Sequence, residues 1–186
     1  MIRPMTGGRR RIDRVLAPDF SVGLPDLTLP ELRERRHEAE QEEADLSYVR
    51  RLLHGRIDIV EAERRRRDPT FEGGSVLDEL AAILTDESRT TRGSGKHLMV
   101  EPSRVAEHRR DGEAIVADTV ISDVEARTAE ELVQALVKLR LNESEVSEVR
   151  HDVQAVVDVL SAELTRRYRD GVASVDELLA GGNPNF

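Results

Sequence analysis

Two sets of five polar residues recur in this chain at one spacing. The first is Glu43, Ser47, Arg50, His54 and Asp58, and the second is Glu143, Ser147, Arg150, Gln154 and Asp158. Both read E-x3-S-x2-R-x3-(H/Q)-x3-D. Arginine forks onto guanine O6 and N7, pairs with phosphate and stacks on base planes. Aspartate only accepts, so it matches the N1–H and N2–H₂ donor edge of guanine. Serine and glutamine or histidine add donors for phosphate, ribose or base. On a helix these offsets fall within roughly 80° of one another and rise about 22 Å. Such a stripe exceeds one nucleotide and suits an elongated, guanine-bearing ligand. Two like stripes on antiparallel helices are related by a pseudo-twofold axis, which a ligand with its own twofold symmetry would fit.

The elements that must carry the stripes are two long helices. Thr28 with Glu31, and Thr128 with Glu131, each form a capping box at a helix start. From the first, nothing breaks a helix before Asp68-Pro69, which gives roughly 60 Å of helix over 28–67. Its apolar positions Leu46, Val49, Leu53, Ile57 and Val60 step by three and four, a heptad-like seam. The second helix, 129–168, has the seam Leu132, Leu136, Leu139, Val146, Val149, Val153, Val157 and Leu160, and Gly171 ends it. The last four residues of each motif sit one position after a seam residue, so both stripes flank the packing surface at one angle. If the helices pair, the two stripes line a shared groove.

The two helices also repeat one another at an offset of 100 residues, with 12 of 40 aligned positions identical. Caps, seam and charged helix ends (Glu63/Glu163, Arg66/Arg166 and Arg67/Arg167) recur in any pair of coiled-coil-like helices. The arginines at those ends suit the helix dipole. A merely solvated face, with intrahelical pairs such as Glu43 to Ser47 or His54 to Asp58, has less reason to keep the stripe while Tyr48/Glu148 and Arg51/His151 diverge.

Residues 1–27 hold Pro, Gly and an arginine cluster (Arg9, Arg10, Arg11) and read as a flexible arm. Residues 28–170 form the hairpin domain, with 68–128 connecting its helices and 171–186 as a short helix and loose tail. Within the connection, Ser75 caps a short amphipathic helix bearing Leu77, Leu80, Ile83 and Leu84, 88–95 is a linker, and 114–124 is helix or strand. The expected fold is all-α: a long antiparallel two-helix coiled-coil hairpin with short additional helices.

Composition narrows the function. Charged residues make up 35% and aromatics 3%, without tryptophan, which suits solvated helices better than a large core. There is no cysteine, hence no disulfide or thiolate metal site, as a reducing cytoplasm would allow. No apolar run is long enough for a membrane span. The net charge of −9 argues against direct DNA binding, and the runs at Arg64–Arg67 and Arg109-Arg110 are short. His37, His54, His97, His108 and His151 lack metal-ligand spacing, and no phosphate loop or dinucleotide fingerprint occurs, so an enzyme is not expected.

With both motifs in register, the chain resembles the RsiG family of actinobacterial anti-sigma factors, also called aerial mycelium formation proteins. The resemblance covers both long helices and includes the run LPELRERRHEAEQEEADLSYVRRLLHGRID from Leu29 to Asp58. It implies an antiparallel coiled coil that clamps a dimer of cyclic di-GMP as regulatory ligand and, when loaded, sequesters a WhiG-like sporulation sigma factor of RNA polymerase. The residues carried over are Glu43, Ser47, Arg50, Asp58, Glu143, Ser147, Arg150, Gln154 and Asp158. His54 departs from the family's glutamine; a neutral imidazole still donates and accepts, with shorter reach and a sensitivity to pH. The alternative is a structural coiled-coil interaction protein without a nucleotide ligand, which explains seams and caps but not the matched stripes.

Overall fold

A computed structural model describes residues 3–68 and 123–171. The short helix expected from Ser75, the linker 88–95, the apolar segment 114–122 and the helix expected from Ser174 lie outside the described residues. Within them the order is helix α1 (Arg11–Val15), a 3-10 turn (Leu24–Asp26), helix α2 (Leu29–Arg66), a second 3-10 turn (Val124–Ala126) and helix α3 (Ala129–Arg169). Helices and turns are present among the described residues, and strands are not.

Both long helices begin where their capping boxes place them. The Thr28 N–H donates to Glu31 Oε2 at 2.7 Å, and the Glu31 N–H donates to Thr28 Oγ1 at 3.4 Å. The second box repeats this, at 2.8 Å from Thr128 N–H to Glu131 and 3.2 Å from Glu131 N–H to Thr128. Each box satisfies amide donors that a helix start leaves without intrahelical acceptors. At the far end of α3, Gly171 adopts φ 71°, a left-handed turn that glycine makes without a Cβ penalty.

The chain divides into two compact units, Met1–Leu46 with Ser147–Phe186, and Ser47–Val146. In the first, the early half of α2 runs antiparallel to the late half of α3: Arg33 bonds Tyr168, while Glu43 bonds Arg150. Its core holds Leu32, Ala39 and Leu46 of α2 with Val149, Val153, Val157, Leu160 and Leu164 of α3, together with Ile12, Val15 and Leu24. In the second unit, the late half of α2 and the early half of α3 also run antiparallel: Arg50 bonds Glu143, and Arg67 reaches Arg127. Val49, Leu53, Val60, Leu132, Leu136, Leu139 and Val146 are buried there. Of the seam expected from the sequence, Ile57 alone is half-buried rather than buried.

Residues 3–27 depart from the expected flexible arm. Ile12 and Val15 of α1 are buried, at 2% and 0% exposure. Arg11 donates to Glu42 at 2.6 Å and also bonds Asp45; Arg14 bonds Glu38. Glu42 is wholly buried, a placement a carboxylate tolerates only with a charged partner. Burial disfavours the Arg11 cation, yet its bonds to Glu42 and Asp45 outweigh that and raise its pKa. Arg11 of the arginine cluster, together with Arg14, thus fastens a docked helix.

Candidate functional site

Each unit gathers the glutamate of one motif with residues of the other. In the unit containing Ser47–Val146, Arg50 and His54 project from α2 and Glu143 from α3. Arg50 Nε donates to Glu143 Oε1 at 2.9 Å, and His54 Nε2 lies 3.0 Å from the same oxygen. Ser47 and Asp58 stand half-buried on the same helix. In the other unit, Arg150 of α3 donates from Nη1 to Glu43 Oε1 of α2 at 2.8 Å. Gln154 donates instead to Asp158 on its own helix, at 2.9 Å. Ser147 is half-buried and Asp158 exposed.

The motif glutamates therefore bridge helices, where a solvated stripe would pair along its own helix. Only Gln154–Asp158 follows that i,i+4 pattern among the motif bonds described above. All ten motif residues except Asp158 are half-buried. They sit beside the seam, partly screened from water. One detail is unusual: among the described residues, Arg150 Nε is buried and has no hydrogen-bond partner. A buried donor without an acceptor costs about 1–3 kcal/mol, a cost that an incoming acceptor would remove. The histidine in place of glutamine changes the network: His54 shares Glu143 with Arg50, whereas Gln154 leaves Glu43 and turns to Asp158.

A second repeated device sits at the helix ends, and the sequence reading assigned it only to the dipole. Arg167 is buried and donates to the carbonyls of Leu27 at 2.7 Å, Leu24 at 2.6 Å and Pro25 at 3.3 Å. Arg67 does the same at the other 3-10 turn, reaching the carbonyls of Arg127 at 2.5 Å, Val124 at 2.9 Å and Glu125 at 3.1 Å. Glu163 and Glu63, four residues earlier, hold these arginines by Nε at 2.9 and 2.5 Å. Hydrogen bonds from Arg166 and Arg167 lower the Glu163 pKa to about 2; Arg66, then Arg67, lower that of Glu63. The end of one long helix thereby grips the turn that starts the other, beside the helix bearing the stripe. The recurrence of Glu63/Glu163 and Arg67/Arg167 was the available signal; its target, a carbonyl cluster far along the chain, was not.

The RsiG-like family model matches residues 18–84 and 118–181. The chain belongs to the RsiG-like family. Those two segments include both motifs, both capping boxes and both 3-10 turns gripped by the arginines. No curated protein sequence matches the chain. Membership in the RsiG-like family places the protein with regulators of the anti-sigma kind, whose partner is a sigma factor. No helix among the described residues is long and apolar enough to cross a membrane.

Proposed function

We propose that this RsiG-like protein is an anti-sigma factor that binds cyclic di-GMP through its twin motifs and, once loaded, sequesters a WhiG-like sporulation sigma factor in the cytoplasm. One observation carries the nucleotide part: in each unit the motif residues of one helix meet the motif glutamate of the other. Each unit then offers an arginine for guanine O6 and N7 and an aspartate for the N1–H and N2–H₂ edge. Arg50 and Asp58 serve one unit, and Arg150 and Asp158 the other. Ser47, Ser147, His54 and Gln154 supply further polar contacts. Ligand binding holds the helices in the geometry that fits the sigma factor, because a ligand stabilises whichever state it binds more tightly.

Calorimetric titration of cyclic di-GMP, with GTP as control, tests this with and without the sigma factor. Saturable heat with cyclic di-GMP alone or with the sigma factor, lost in the Asp58→Ala/Asp158→Ala double variant with its helix signal intact, is the expected result. No heat under either condition leaves a coiled-coil interaction protein without a nucleotide ligand.

A further inference from the structure

We infer that Glu43 and Glu143 are positioning residues that neutralise the arginine of the opposite motif, so that it reads a guanine edge in preference to gripping a phosphate. The inference rests on the nucleotide reading above and reassigns these two glutamates within it. They act through arginine and make no contact with the ligand themselves.

The geometry gives the reason. Each glutamate lies on the long helix opposite its arginine, at 2.8 Å for Glu43–Arg150 and 2.9 Å for Glu143–Arg50. Both carboxylates are well covered, at 24% and 22% side-chain exposure, so water screens the pairs less than it would on an open face. An arginine already bound to a carboxylate carries no net charge as a pair. A phosphate approaching it meets the neighbouring carboxylate, and like charges repel. A neutral acceptor edge meets no such barrier. Guanine offers two acceptors there, O6 and N7, whereas adenine offers N7 beside an N6–H₂ donor that faces the arginine donors badly. In one unit Arg150 Nε is a buried donor without an acceptor among the described residues, which suits an uncharged acceptor at that position. In the other, His54 Nε2 shares the Glu143 oxygen with Arg50, so the same carboxylate also orients the imidazole.

The test compares wild type with Glu43→Gln/Glu143→Gln, which removes the charges and keeps size and hydrogen bonding. Cyclic di-GMP and cyclic di-AMP are titrated into each across a salt series. The double variant is expected to lose about tenfold of the guanine-over-adenine preference, the scale of one bidentate base contact. Its binding should also become more salt-dependent, because unneutralised arginines then attract phosphate. Should the double variant lose its helix signal, each single variant carries the same comparison in its own unit. A folded variant with unchanged preference and salt dependence overturns the inference while leaving cyclic di-GMP as the ligand. Wild-type protein that binds neither nucleotide overturns the nucleotide reading and this inference together.

Discussion

Arg167 shows how one side chain can matter without touching any ligand. Its guanidinium is buried at 6% exposure and satisfies three carbonyls of the turn before α2. Arg167→Ala removes the bonds to those carbonyls and one of the two arginines held by Glu163, which keeps Arg166, and should cost about 2–4 kcal/mol of unfolding free energy. Urea melts followed by circular dichroism measure this. Arg167→Lys should recover only part of it, since a single ammonium cannot reproduce a planar fork. At this scale the sequence was half legible. The stripe residues could be named because their spacing fits one helical face, and those one position past the seam are half-buried, Asp158 excepted. Which stripe residue pairs with which was hidden, because Glu43 and Arg150 are 107 residues apart and no local pattern links them.

Among the elements, α2 contains one weak link that can be strengthened. Gly55 lies inside the helix, and a Cβ added there meets nothing within 4 Å. Glycine in a helix interior costs roughly 0.5–1 kcal/mol relative to alanine. Gly55→Ala should therefore raise the thermal midpoint by about 1–4 °C, with the helix signal unchanged; a lower midpoint would mean that a close packing partner occupies that face. The long helices were legible almost to the residue, since threonine and glutamate at a three-residue spacing place a start and Gly171 places a stop. The five-residue α1 was not. Its segment RIDRV is too short for a period to show, and what holds it is tertiary: two buried apolar side chains and ion pairs to Glu38, Glu42 and Asp45.

For the molecule as a whole, the carboxylates set the response to acid. The Arg10 side chain hydrogen-bonds Asp13, outweighing burial with help from the Met5 and Arg10 amides, and lowers its pKa from 3.8 to about 2. Glu163 falls from 4.5 to about 2 beside Arg166 and Arg167. Both groups hold protons more weakly when folded, so the unfolded chain gains protons first as the pH drops. Their stabilisation is complete above about pH 4.5 and disappears as pH falls towards about 2. Urea midpoints across that interval should decline, and Asp13→Asn should flatten part of the decline. The arrangement of the units has a consequence for synthesis as well. Ser47–Val146 is one unbroken run of chain, while the other unit is built from the two flanks of that run. At roughly 5–20 residues per second, ribosomal elongation leaves Leu46 on the order of 5–20 s ahead of Ser147. Throughout that delay the early half of α2 lacks its α3 partner, and its apolar positions Leu32, Ala39 and Leu46 have no α3 surface to pack against. The ion pairs of α1 need nothing beyond Asp45. The nascent chain can thus fasten α1 to α2 before α3 exists, and that fastening is retained in the finished protein.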